Sequence, residues 1–347
     1  MLLDTTLRDG SYVIDFNFST SQTSKISKGL EDANIPYIEI GHGIGINASE
    51  KGLGQALQTD EEYMVATKEV LTRSKWGMFA IPGICELPNL DVCIDHQMDF
   101  IRIGVSIDDY KRTKEFIEKA KNAGIMTCVN FMKSYARSPV VFEMAAREVI
   151  NYGADFVYLV DSAGNLTPNM IQKYCERISD IPFGFHGHDN LGLGNANALV
   201  AHQLGASIID CSLQGLGRSA GNTQLEQFVA ILQRENHELD IDLLRLIDLS
   251  EQYIRPLLSS VGSDGLDLIC GYSGFHSSYM GMVREVALKY NVDPRVLIIE
   301  LCKLTLDDAP LDTLKEIAID LNAKGIYINE QSKSSLARYF GSEQSSL

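Results

Sequence analysis

The sequence predicts a TIM (β/α)8 barrel over residues 1–235, with a mostly helical region over 236–335 and a frayed tail over 336–347. Two observations carry the barrel. Eight short runs rich in β-branched and apolar residues alternate with amphipathic stretches at a repeat of about 30 residues, the period of a βα unit. Several amphipathic stretches also end in glycine just before the next run, at Gly124, Gly153 and Gly205, as helix C-cap chemistry requires.

The strands are read, in order, at 2–6, 37–41, 76–81, 100–104, 126–131, 156–160, 183–186 and 207–211. Amphipathic patterns at 110–122 and 138–152 supply helices between them, and beyond 236 the clearest helical patterns are 241–257 and 276–290. Eight βα units in this length fit a closed barrel better than an open doubly wound sheet, and a barrel places its chemistry at the C-terminal ends of its strands. Polar residues gather at those ends: Arg8 and Asp9 after strand one, His42 after strand two, Asn130 in strand five, Asp161 and Ser162 after strand six, His186 and His188 at strand seven.

Composition narrows the partners. A net charge of −16 repels nucleic acid and anionic membrane surfaces, and no local basic patch offsets it. No run approaches the roughly 18 to 20 apolar residues of a membrane span, and the N-terminus shows no signal-like pattern, so a cytoplasmic protein acting on a small molecule is expected. The seven cysteines are odd in number and contain no CxxC, which reads as buried reduced thiols.

His186-Gly187-His188 is the most informative motif. Side chains alternate faces along a strand, so two histidines separated by one residue point the same way and can reach one cation. With Asp9 they offer one carboxylate and two imidazoles, a set that suits Mn²⁺, Mg²⁺, Zn²⁺ or Fe²⁺ and leaves positions open for substrate. Asp189 and Asn190 could extend that shell. Asn222, in a glycine-rich loop after strand eight, is either a further ligand or the N-cap of the next helix. Arg8, a fixed cation beside Asp9, can stabilise a developing oxyanion. Gly192-Leu193-Gly194 lacks the third glycine and the βαβ context of a nicotinamide site. A two-histidine, one-carboxylate oxygenase would present its ligands from a jelly roll rather than from βα units.

Asp4-Thr5-Thr6-Leu7-Arg8-Asp9-Gly10 together with the HxH resembles the DRE-TIM metallolyase (HMG-CoA lyase-like) superfamily. Further segments resemble its 4-hydroxy-2-oxovalerate aldolases: 38–43, 82–84, 152–154, Asp161-Ser162-Ala163-Gly164, 217–226, Gly271-Tyr272-Ser273-Gly274 and Lys289-Tyr290-Asn291, covering about residues 1 to 303. The resemblance implies a class II aldolase in which a divalent cation, usually Mn²⁺ with Mg²⁺, Zn²⁺ or Co²⁺ as alternatives, supports reversible cleavage of a 4-hydroxy-2-oxo acid to pyruvate and an aldehyde. It implies Asp9, His186 and His188 as metal ligands and Arg8 as the residue that steadies the pyruvate enolate; the strand-end positions of Arg8, His42, Asn130 and Ser162 make them the expected substrate contacts, and the C-terminal region is expected to complete the active site. It also implies an acylating aldehyde dehydrogenase partner that takes up the aldehyde, with a stand-alone enzyme as the alternative, and a homo-oligomer is expected.

Two positions depart from that pattern. The family histidine three residues after the aspartate is Tyr12 here, and a tyrosine expected after the Gly-Tyr-x-Gly segment is His276. With reference pKa values of about 10 for tyrosine and 6.5 for histidine, the exchange predicts that His276 is the general base and that Tyr12 orients the 4-hydroxyl. The alternative is a pocket adapted to another substrate. Two rival activities share Arg8, Asp9 and the HxH: a Claisen-type synthase that adds an acyl-CoA enolate to a 2-oxo acid, for which no basic groove for CoA is visible, and a barrel that has lost catalysis.

Overall fold

A computed structural model describes residues 1–258 and 265–338. Eight parallel strands close into a barrel in chain order: β1 (Leu2–Asp4), β2 (Tyr37–Ile40), β3 (Lys75–Ala80), β4 (Phe100–Ser106), β5 (Met126–Met132), β6 (Phe156–Asp161), β7 (Phe183–Gly187) and β8 (Ile208–Cys211). β1 pairs with β8 through Leu3 opposite Asp210, which seals the sheet and leaves it no edge. Every expected strand is present. The first is shorter than expected because Asp4 accepts the backbone N–H of Thr6 at 3.0 Å and turns the chain into a 3-10 helix at Asp9–Ile14.

Helices α1 (Thr20–Asp32), α2 (Asp60–Lys68), α3 (Asn89–Asp95), α4 (Lys114–Asn122), α5 (Pro139–Asn151), α6 (Pro168–Cys175), α7 (Gly194–Gln203) and α8 (Leu225–Arg234) follow the strands one for one. Local chemistry explains their starts. Ser19 and Thr59 form capping boxes with Gln22 and Glu62, and Ser138 caps α5, whose first residue is Pro139. Gly153, at φ 106°, ends α5 in a conformation that a side chain would strain.

After the barrel come α9 (Leu243–Tyr253), α10 (Gly265–Ser273), α11 (Met280–Tyr290), α12 (Pro294–Cys302), α13 (Leu311–Ala323) and α14 (Glu330–Arg338). Leu246 and Leu249 of α9 join the barrel's apolar core. A separate core begins at Leu266 and runs to Leu336, packing α10 to α14 on one another. The expected tail therefore overlaps α14, and its residues 339–347 lie outside the described part. All seven cysteines are free thiols, and six are buried. Among the described residues no helix is long and apolar enough to cross a membrane.

Candidate metal centre and substrate pocket

Asp9, at the start of the 3-10 helix after β1, meets His186 from β7 and His188 just past its end. One ligand atom from each lies within 4.8 Å of the others, and all three side chains are buried. Each imidazole is oriented through Nδ1. That of His186 donates to Asp210 Oδ2 at 2.9 Å, and that of His188 to the Gly221 carbonyl at 3.2 Å, leaving both Nε2 atoms as lone-pair donors. Burial favours the neutral form of His188 and pushes its pKa down to about 3, the protonation state a metal ligand needs. Burial alone would raise Asp9, but Arg8 first, then His188, His186 and Arg218, hold its carboxyl well below the usual range. A buried, ionised carboxylate facing two imidazoles fits a divalent cation.

Asn222 joins this group. Its Nδ2 donates to Asp9 Oδ2 at 2.7 Å, while its Oδ1 is buried without a partner, as a fourth oxygen donor would be. The capping alternative fails, because α8 begins three residues later with Gln224 in the cap position. The loop carrying Asn222 leaves no room for a side chain at Gly217, where a Cβ would lie 2.4 Å from Asn222 Nδ2.

Arg8 is held by Glu39 Oε2 at 2.7 Å and Asp9 Oδ1 at 2.8 Å, and lies over the Phe79 ring at 4.9 Å. Glu39 Oε2 also accepts from Arg102 Nη1 at 2.8 Å, and Arg102 pairs in turn with Asp210, the residue that orients His186. A buried alternation of charge thus links Arg8, Glu39, Arg102, Asp210 and His186 through the barrel interior. Sequence reasoning missed Arg102 and Asp210 and gave Glu39 no role. The signal was available: each is a lone charge between apolar neighbours, in Ile38-Glu39-Ile40, Ile101-Arg102-Ile103 and Ile209-Asp210-Cys211.

The other expected residues divide. Asn130 is buried on β5 with an unpartnered Oδ1. Ser162 accepts the backbone N–H of Lys133 at 2.9 Å. His42 is not brought to the cluster with a free nitrogen: Nδ1 accepts from Ile44 N–H, Nε2 faces the Gly54 carbonyl at 3.1 Å, and the ring stacks on Phe16. Asp189 is engaged at the start of α7, and Asn190 ties the barrel to α10 through the Asp267 carbonyl.

Tyr12 and His276 both face Arg218, a residue of the loop after β8 that sequence reasoning also passed over. Arg218 lies 5.6 Å from the Tyr12 ring centre, and its Nη2 donates to His276 Nε2 at 2.7 Å. A guanidinium cannot accept, so this contact occupies the lone pair of Nε2, while Nδ1 lies 2.6 Å from Ser278 Oγ. Burial, then Arg218, Lys133 and His188, hold His276 well below the usual histidine range. Lys133 reaches across the mouth to Tyr279 Oη and to the Asp307 carbonyl, binding the second core to the barrel.

Residues 1–252 match the family profile described as HMGL-like. The chain is 34% identical over 331 residues to a 4-hydroxy-2-oxovalerate aldolase of Geobacillus genomosp. 3, covering 93% of this chain and 98% of that protein. It is 35% identical over 291 residues to an oxaloacetate decarboxylase of Mycobacterium tuberculosis, covering 83% and 86%. The fold is shared with the HMG-CoA lyase of Brucella melitensis (TM-score 0.64, 18% identity, 75% of this chain and 98% of that one). It is shared too with the carboxyl transferase domain of Rhizobium etli pyruvate carboxylase (TM-score 0.74, 14% identity, 94% of this chain and 61% of that one). The chain belongs to the HMGL-like family and, within it, to the group of the 4-hydroxy-2-oxovalerate aldolases.

Proposed function

We propose that the protein is a divalent-metal-dependent carbon–carbon lyase that cleaves a 4-hydroxy-2-oxo acid to pyruvate and an aldehyde. The observation that carries this reading is the buried Asp9, His186 and His188 cluster with the Arg8 guanidinium beside it. Asp9, His186 and His188, with Asn222, would hold the cation, Mn²⁺ by preference, which supplies Lewis acidity for the 2-oxo acid. Arg8, fixed by Glu39 and Asp9, offers a preorganised positive charge to the enolate oxygen without reorganising during reaction. His276 Nε2 takes the proton of the 4-hydroxyl once Arg218 releases it, and Tyr12 orients that hydroxyl. Asn130 and Ser162 line the substrate's path, and the region after the barrel completes the pocket by contributing His276.

Pyruvate release from a panel of 4-hydroxy-2-oxo acids, with Mn²⁺, Mg²⁺ or chelator, tests the proposal. Metal-dependent pyruvate is expected, and its absence from every member of the panel with Mn²⁺ present refutes it. One observation favours a second reading. Nε2 of His276, the expected base, is occupied by Arg218, and loss of CO2 from oxaloacetate needs no base; the relative named oxaloacetate decarboxylase makes that substrate the control in the same assay. We further propose a cytoplasmic homo-oligomer that hands its aldehyde to an acylating aldehyde dehydrogenase. Near-stoichiometric co-purification of the two supports that partnership, and its failure counts against it.

A further inference from the structure

Arg218 stands apart from the other cations around the barrel mouth. Arg8 and Arg102 are each matched by carboxylates, and Lys133 is anchored between Tyr279 and the Asp307 carbonyl. Arg218 forms no ion pair among the described residues; its Nε is buried without a hydrogen-bond partner, and its single hydrogen bond there runs to His276 Nε2. It is nonetheless directed inward, over the Tyr12 ring and close enough for its charge to act on Asp9 and His188. The chain carries 46 Asp and Glu against 30 Lys and Arg, yet among the described residues no carboxylate lies within ion-pair distance of it. A half-buried guanidinium with no counter-ion among the described residues of so acidic a chain points to a counter-ion brought by the ligand.

Which group of the ligand it meets follows from position. The first carboxylate and the 2-oxo group of a 2-oxo acid belong with the cluster of Asp9, His186 and His188 and with Arg8. Arg218 instead meets Tyr12 and His276, the residues assigned to the 4-hydroxyl, so the carbons beyond that hydroxyl would lie beside it. A carboxylate departing as CO2 is the wrong partner there, because a guanidinium stabilises that carboxylate before the bond breaks and so slows its loss. The anionic group must therefore lie beyond the bond that is cleaved.

Resting on the lyase reading above, we propose that Arg218 anchors a second carboxylate, so that the preferred substrate is a 4-hydroxy-2-oxo dicarboxylic acid whose distal acid leaves with the aldehyde. The chemistry balances without any co-reactant. The C3–C4 bond breaks and its electron pair passes to C3; the 4-hydroxyl proton passes to His276 Nε2; protonation of C3 from there completes pyruvate, and C4 departs as the aldehyde carbon of an oxo acid. Arg218 has two tasks in this scheme. In swinging its N–H groups to the distal carboxylate it releases the lone pair of Nε2, so the acid that is recognised also frees the base.

The test separates this inference from the reading beneath it. Calorimetric titration of the Mn²⁺-loaded protein with 2-oxoglutarate and with 2-oxopentanoate compares two ligands of equal chain length that differ in the distal acid. We expect the diacid to bind tighter on the order of tenfold or more, and Arg218→Gln to bring the ratio close to one. The kcat/KM ratio for 4-hydroxy-2-oxoglutarate over 4-hydroxy-2-oxopentanoate should fall in the same variant on the order of a hundredfold. Equal wild-type affinity for the two ligands, with pyruvate still formed, overturns the inference and leaves the lyase standing. Equal losses on both substrates in Arg218→Gln also overturn it, because the arginine would then serve the first carboxylate. Failure of both ligands to bind, with no pyruvate from either substrate, removes the lyase reading and this inference together. If Arg218→Gln does not fold, the wild-type comparison decides alone.

Discussion

Asp210→Asn tests the buried charge chain directly. Asp210 Oδ2 receives both Arg102 and the His186 imidazole, and all three groups are shielded from water. The amide is nearly isosteric with the carboxylate and still offers His186 an acceptor, but it leaves Arg102 with only Glu39, which Arg8 already shares. Two buried guanidinium groups then share the Glu39 carboxylate, and Asp9 pairs with Arg8 alone. Removing one partner of a buried pair costs about 3–5 kcal/mol. At the low end of the 2–4 °C per kcal/mol seen in somewhat smaller chains, that is a fall in Tm of roughly 6–10 °C. The weaker hold on His186 should also reduce Mn²⁺ affinity about 10- to 100-fold. Differential scanning calorimetry and a fluorescent metal-competition titration read the two effects separately. The double variant Asp210→Asn with Arg102→Met removes both charges and leaves Glu39 balanced by Arg8, so it should recover part of the lost stability. Simple additivity of the two single costs would refute the charge-chain argument.

His188→Ala should abolish tight Mn²⁺ binding while the barrel stays folded, which equilibrium dialysis and circular dichroism can establish together. His276→Ala should retain wild-type metal content but lose turnover about 10²- to 10⁴-fold, the usual value of a positioned base; unchanged kcat would eliminate that role. Glu31 supplies a pH test away from the site. It accepts backbone N–H groups from Thr72, Arg73 and Ser74 at 2.7–3.0 Å. Burial opposes its ionisation, but these bonds and Lys28 bring its pKa down to about 2 from an ordinary 4.5. Its folded pKa lies below the unfolded one, so its contribution is present above about pH 4.5 and is lost as the pH falls towards 2. Glu31→Gln should cost about 1.5–3 kcal/mol at neutral pH and flatten the acid limb of the stability curve; an unchanged limb in urea titrations from pH 7 to 3 contradicts this.

What was legible in the sequence was whatever repeats locally. Alternation and spacing locate all eight strands, and the two-residue step in His186-Gly187-His188 foretells a shared direction. What stayed hidden depends on distance along the chain. Arg102 reaches Glu39 and Asp210 across 63 and 108 residues, and Arg218 reaches His276 across 58, separations that no window of periodicity spans. His42 shows the opposite difficulty: its place after β2 suggested a substrate contact, but the loop to Gly54 folds back and occupies both ring nitrogens. Tyr12 and His276 were singled out as an exchanged pair, yet the guanidinium between them could be found only once the chain was folded.

The separation of the apolar core of α10 to α14 from those of the barrel has a bearing on how such a protein diversifies. The cluster of Asp9, His186 and His188 rests on one core, whereas His276 and the segment that receives Lys133 rest on the other. Substitutions that repack α10 to α14 away from the ties at Asn190 and Lys133 act on a core that the barrel does not share, so the shape of this region can change while the reactive end stays put. A lineage with this architecture can acquire new clients by remodelling its cover, and a protein engineer can graft one cover onto another barrel for the same purpose.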